Sequence, residues 1–311
     1  MKRFLSGMIV SLVAAAMFAL TMWQQPRAAA AEPEHRPLPI VVATHSVLGD
    51  LTRQVTGDLA TVVVMVGPDG DVHTFEPTPA DGVTLASADI IFENGLGLEH
   101  WLDRLYAASG SKAKRVVVST GITPRTLDVD GRKEEDPHIW HDVSYAMHMV
   151  EMVCDSMVQL DPVHAAEYRA NATKSLDSLK KLDAWVFLRV SELPRDQRRL
   201  VTSHDTFGYF SQRYGFDLVG DALGSVSTEV SDPSAARIAE LVEKVKASGV
   251  KCIFSETTHN PKLMQRIADE AGVKVVSTLY TDALGKPGTP GDTYEKMIRY
   301  NVDTMCKALQ P

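Results

Sequence analysis

Residues 161–193 contain no Gly and no Pro after Pro162, and the run ends only at Pro194. Asp161 is suited to accept a hydrogen bond from a first helical turn and Pro162 to occupy the first helical position. Ala172, Leu176, Leu179, Leu182, Val186, Val190 and Leu193 recur at steps of three and four, which draws one apolar stripe down a single helix. At 1.5 Å per residue the rod is about 45–50 Å long, more than most domains can use internally. Periodicity does not say what the stripe packs against, so it is either the core helix of one domain or a strut between two. Its position favours the strut. Two His-containing loops precede it, and a third His and an acidic loop follow it.

On both sides of the rod, short β-branched runs alternate with helical patterns, the mark of βα units and a mainly parallel sheet. Before it, strands are predicted at 39–44, 60–66, 89–93 and 115–118, with helices at 47–56, 79–87, 99–108 and 143–160. After it, strands are predicted at 200–203, 217–220, 252–255 and 274–277, with helices at 207–214, 233–248, 261–271 and 293–309. Residues 120–137 read as a Pro- and charge-rich loop. The expected fold class is α/β: two Rossmann-like (β/α) domains, residues 32–160 and 195–311, joined by one long rigid helix over 161–194. No internal sequence repeat links the halves.

The start of the chain reads as a cleaved secretory signal peptide over residues 1–31. Lys2 and Arg3 open it, residues 8–22 are apolar but short for a bilayer, and Ala28 to Ala31 offer small residues for cleavage. No Cys lies there, so a free periplasmic protein without a lipid anchor is expected. Losing Lys2, Arg3 and Arg27 moves the formal charge from −8 to −11, which disfavours nucleic acid as a partner. Three Cys remain. In an oxidising compartment Cys252 and Cys306 are the expected disulfide pair, with Cys154 a buried thiol.

In open parallel sheets ligands gather at the carboxyl ends of strands. His73, His138, His204 and Asp282 all sit in such loops, and each alone could equally be a surface or capping residue. The segments around them read together: residues 66–78 (VGPDGDVHTFEPT), 136–140 (DPHIW), 203–210 (SHDTFGYF) and 280–285 (YTDALG). They resemble, in order, the signature segments of the metal-binding solute-binding proteins of zinc and manganese ABC importers. That resemblance spans nearly the whole chain after the leader. It implies two (β/α) domains bridged by a rigid helix, a metal held in the cleft between them, and His73, His138, His204 and Asp282 as its ligands.

Three imidazoles and one carboxylate suit four-coordinate Zn²⁺, whereas Mn²⁺ prefers more oxygen. The manganese branch of the family also typically carries a carboxylate where this chain has His204. The expected function is therefore a non-catalytic receptor that captures Zn²⁺ and delivers it to an inner-membrane ABC permease as a monomer, with a periplasmic metallochaperone as a candidate supplier. A manganese receptor is the alternative within the family. A secreted zinc hydrolase with Glu256 as general base is the alternative outside it, and it lacks both a His-Glu-x-x-His helix and a Gly-x-Ser-x-Gly elbow.

Glu256, after the strand at 252–255, could orient a ligand imidazole, or it could simply open the next helix. His45, where relatives usually carry an apolar residue, could approach the cleft or serve as a structural histidine. His141, in a place usually held by Leu, is expected to face solvent or to lie behind the ligands. His35, His100, His148, His164 and His259 are given structural roles. The 120–137 stretch lacks the His-rich insertion of many zinc-uptake relatives; it carries Arg125, Asp128, Asp130, Arg132, Lys133, Glu134 and Glu135 instead. It is read either as a gate or partner contact, or as a solvated loop.

Overall fold

The computed structural model describes residues 37–310 except 130, 231 and 259. The expected leader, His35, Asp130 and His259 lie outside the described residues.

Strands β1 (Ile40–His45), β2 (Thr61–Val66), β3 (Ile90–Glu93) and β4 (Lys114–Val117) form one parallel sheet in the order β2-β1-β3-β4. Val41, Val42 and Ala43 are buried on successive positions of β1, so both faces of the strand are covered, as continuous apolar runs in parallel sheets require. Helices α1 (Ser46–Thr56), α2 (Pro79–Ser87) and α3 (Leu102–Ser109) make the connections. Pro79 opens α2, and Asp81 accepts the Thr78 N–H at 2.7 Å, the reciprocal arm of a capping box.

Residues 120–137 depart from the loop reading. They hold an antiparallel hairpin, β5 (Thr126–Val129) and β6 (Arg132–Glu135), with Val129 opposite Arg132. Gly131 has φ 78°, the left-handed conformation such tight turns demand. Helix α4 (Val143–Leu160) follows, with Asp142 accepting from Ser144 N at 2.7 Å as its cap.

The long helix α5 (Ala165–Ser191) has 27 residues, about 40 Å, nearly two turns shorter than expected. Pro162–His164 forms a tighter 3₁₀ turn instead. Asp161 does not cap it. Its carboxylate takes the Tyr168 hydroxyl at 2.9 Å and lies 2.6 Å from His164 Nδ1. Tyr168, Ala172, Leu179, Leu182, Val186 and Val190 are buried along one stripe.

Beyond α5 come β7 (Arg199–Thr202), α6 (Gly208–Tyr214), β8 (Asp217–Asp221), α7 (Ala235–Ser248), β9 (Cys252–Glu256), α8 (Lys262–Ala271), β10 (Lys274–Leu279) and α9 (Tyr294–Leu309). β7 pairs with β8 and β9 with β10, both in parallel, and β7 lies beside β9. Helix α5 packs on α1 and α4 from the first half and on α6 and α9 from the second. Polar contacts pin it at both ends: Asn171 donates to Val55 O at 3.1 Å, and Arg189 to Asp303 at 2.9 Å. One apolar cluster runs from Val41 through α5 to Leu309, while a second, around Val201, Leu241, Ile253 and Ile267, seats α7 and α8. Each Leu or Val fully buried in these clusters contributes about 1.5–3 kcal/mol.

The expected Cys252–Cys306 disulfide is not formed; Cys154, Cys252 and Cys306 are all buried free thiols. Cys252 Sγ faces Ala308 O at 3.7 Å, whereas Cys306 Sγ faces Arg189 O on α5 at 3.6 Å, so the two sulfurs serve different neighbours. Burial pushes both thiols up, to about 11, away from the reactive thiolate. Denatured protein never exposed to reductant should titrate three thiols per chain with a chromogenic disulfide reagent; a single thiol would mean that the pair closes.

Candidate metal centre

His73 ends a tight loop after β2. An added Cβ at Gly70 would meet Val66 Cγ1 at 2.8 Å and Gly67 O at 3.0 Å, so the turn closes only on glycine. Asp71 accepts the His73 N–H at 2.9 Å, and its other oxygen takes the Thr228 hydroxyl at 2.6 Å from the second half. Asp69 N reaches Leu284 O at 2.9 Å, a further tie across the junction.

His138 follows β6 and leads into the 3₁₀ turn Ile139–His141. Asp136 Oδ1 accepts the His138 N–H at 3.0 Å and lies 2.8 Å from its Nδ1. With Nδ1 as donor to that carboxylate, Nε2 presents its lone pair to the centre. Asn94 Nδ2 holds the preceding Pro137 carbonyl at 2.9 Å.

His204 lies two residues beyond β7. Glu256, at the end of β9, accepts from Ser203 N at 2.8 Å and His204 N at 3.2 Å with one oxygen. Its other oxygen lies 2.7 Å from His204 Nδ1 and takes the Thr281 hydroxyl at 3.1 Å. One buried carboxylate thus fixes the loop bearing His204 and the loop bearing Asp282. Thr281 O in turn receives Trp140 Nε1 at 2.9 Å from the other half.

These four loops bring His73, His138, His204 and Asp282 together, all buried, with one donor atom from each within 4.8 Å of the others. His138 Nε2 stands 3.3 Å from His73 Nε2 and 3.2 Å from His204 Nε2. Asp282 Oδ1 lies 3.4 Å from Nε2 of both His138 and His204. Burial works against charge on His138, but Asp136 and Asp282 outweigh it and raise its pKa. Burial likewise opposes charge on His204, yet Glu256 and Asp282 hold it well above the ordinary value. Burial would raise Asp282; the surrounding imidazoles, His204 foremost, hold it well below the usual carboxylate range. A nest of imidazole donors around one ionised carboxylate is a site for a cation. On one side a cavity of about 460 Å³, bordered by His73, Leu98, His100, Glu135 and Glu229, opens toward solvent.

His45 is not among the grouped donors. Its ring is fully buried 5.0 Å from Trp140, with both nitrogens unpartnered, and burial lowers its pKa to about 3. His141 does not face solvent: the 3₁₀ turn carries it inward to 4.6 Å from Phe207, and burial lowers it too to about 3. His100 pairs with Glu229 at 3.4 Å, His148 with Thr120 O at 2.9 Å, and His164 with Asp161. Sequence reasoning gave no role to Asp136 or Trp140, and named Arg125 only as one charge of the 120–137 stretch. An Asp two residues before a candidate ligand His was the available signal for the first; nothing local marked the others.

The family described as ZnuA, zinc-uptake complex component A periplasmic, matches residues 41–308. The manganese-binding lipoprotein MntA of Halalkalibacterium halodurans is 34% identical over 269 residues, covering 86% of this chain and 88% of that protein. The iron-binding protein YfeA of Yersinia pestis is 31% identical, covering 95% and 96% of the two chains. The solved structure of the periplasmic zinc-binding protein TroA from Treponema pallidum superposes with a TM-score of 0.82 at 32% identity, over 88% of this chain and all of that one (100%).

One expectation is corrected by these relatives. The absence of Cys near the alanine run suggested a free periplasmic protein, but the Halalkalibacterium relative and the MntA of Bacillus subtilis are both lipoproteins by name. The unanchored localisation is withdrawn. Family and relatives are solute-binding proteins rather than enzymes, which removes the hydrolase. The chain belongs to the zinc-uptake component A family, the metal-binding substrate-binding proteins of ABC importers.

Proposed function

We propose that this protein captures Zn²⁺ through His73, His138, His204 and Asp282 and hands it to the permease of its importer. The spacing of the donors carries the reading. Four donors held about 2.0–2.1 Å from one ion at tetrahedral angles stand about 3.3–3.4 Å apart. Four of the six separations here are 3.2, 3.3, 3.4 and 3.4 Å, and all six lie within 4.8 Å. Three neutral nitrogens and one oxygen also suit zinc better than manganese, which favours oxygen-rich shells. The relatives named above are by name manganese-, iron- and zinc-binding proteins, so a manganese receptor is the competing reading. Residues 32–160 and 195–311 act as the two lobes in this proposal, with α5 as the strut; its packing on both halves supports that division.

Metal-stripped protein offered equal Zn²⁺ and Mn²⁺ is expected to retain one Zn²⁺ per chain after desalting, read by elemental analysis. Retention of Mn²⁺ instead would overturn the zinc reading.

Affinity should also depend on pH, with a sign set by the site. Metal binds neutral imidazole, and in the metal-free site His138 and His204 keep a proton above the ordinary value of about 6.5. Protons therefore compete from above that pH downward. Between pH 8 and 6 the zinc affinity should fall, approaching about one to two decades per unit once both rings are protonated. Competition titrations at pH 8, 7 and 6 measure this, and a flat profile would count against imidazole ligation.

A further inference from the structure

Arg125 grips the second half with its backbone and its side chain together. Its N–H donates to the Tyr209 hydroxyl at 3.0 Å, and that hydroxyl donates onward to Asp136 O at 2.8 Å. Its carbonyl accepts from Asp136 N at 2.9 Å. The guanidinium pairs with Asp136, lies 3.6 Å from Asp205 and sits 5.8 Å from the centre of the Tyr209 ring. Asp136 is the carboxylate behind His138, and Asp205 adjoins His204. The guanidinium therefore stands between the carboxylate that holds His138 and the residue next to His204, from opposite sides of α5.

Gly208 makes room for it. A Cβ there would lie 1.2 Å from Arg125 Nη1 and 2.0 Å from Cζ. Gly208 is not among the residues of positive φ, so space rather than backbone freedom demands glycine. Arg125 also stands directly before β5, so its grip fixes the base of the β5–β6 hairpin. Arginine suits the place because one planar fork can serve two carboxylates, which a lysine ammonium does less well.

We propose that Arg125, seated on Gly208, is a positioning residue that clasps the hairpin and the Asp136–His138 segment onto the His204 loop and so slows release of the bound cation. The cation half of this statement rests on the zinc reading above; the clasp itself does not. Arg125→Ala, Gly208→Ala and the double variant test it through two measurements. One is zinc release into excess chelator. The other is amide hydrogen exchange across residues 127–135 in metal-free protein.

Each single variant is expected to release zinc about tenfold faster, the size of effect seen when an outer partner of a metal ligand is lost. Each should also exchange faster in the hairpin. If Gly208 acts only by seating the guanidinium, the double variant will behave like Arg125→Ala alone, the non-additivity of a shared interaction. Parental release and exchange in both single variants would overturn the clasp, as would a Gly208→Ala effect that adds in full without Arg125. Should Arg125→Ala fail to fold, Asp205→Asn removes only the far side of the grip and must still speed release. A parent protein that holds no zinc would defeat the zinc reading, and hydrogen exchange would still decide the clasp.

Discussion

His138→Ala is expected to weaken zinc binding by about 100- to 1,000-fold. A zinc shell of four protein ligands is worth about 10–16 kcal/mol, so one ligand carries about 3–4 kcal/mol, two to three decades in affinity. His138 is the best choice among the four because its Nε2 lies within 3.2–3.4 Å of a donor atom from each of the others. Removing it also takes away the imidazole partner of Asp136, which keeps Arg125 and the backbone N–H of residue 138. Chelator-competition titration gives the constant, with circular dichroism of the metal-free variant as the check on folding. Affinity within threefold of the parent would remove His138 from the ligand set.

The second large effect is on stability. Trp140→Ala should cost about 3–5 kcal/mol, the usual range for a fully buried large aromatic. Trp140 is completely enclosed, with His45, His138 and His141 around its ring. Its indole N–H donates to Thr281 O, while its own carbonyl receives the Tyr294 hydroxyl at 2.7 Å. The backbone bond survives truncation; the indole bond and the packing do not. Urea unfolding should show a lower midpoint with an unchanged slope, and Trp140→Phe should recover most of the loss. A midpoint within experimental error of the parent would mean that the ring is not part of the junction's core.

Much of this architecture could be read from local signals. The stripe from Ala172 to Val190 announced α5, and the β-branched runs announced the parallel strands, because both depend on side-chain period and on residues a few positions away. The four clustered donors were legible for a different reason: each lies in a loop beyond a strand, and those loops share one crevice. What escaped depended on distance in sequence or on orientation. The hairpin at 126–135 carries charges instead of an apolar alternation, so its strands gave no period to read. For His141 the sequence left open a solvent-facing place or one behind the ligands, and the 3₁₀ turn Ile139–His141 carries it into the core. Cys252 and Cys306 looked pairable by element, and only the directions of their sulfurs decide otherwise. No window of sequence connects Arg125 with Gly208.

His73 and His138 come before α5, and His204 and Asp282 after it, so the junction between the halves divides the donors two and two. Neither half alone offers more than a pair of donors. Under the proposed ligation, a small rotation about the junction would separate one pair of donors from the other and open both pairs to water. If these four side chains are the ligands, as proposed, release by such a motion would pass from four protein donors to two in one step. A transporter that pries the halves apart need only supply the motion, since the division of the donors turns motion into dissociation.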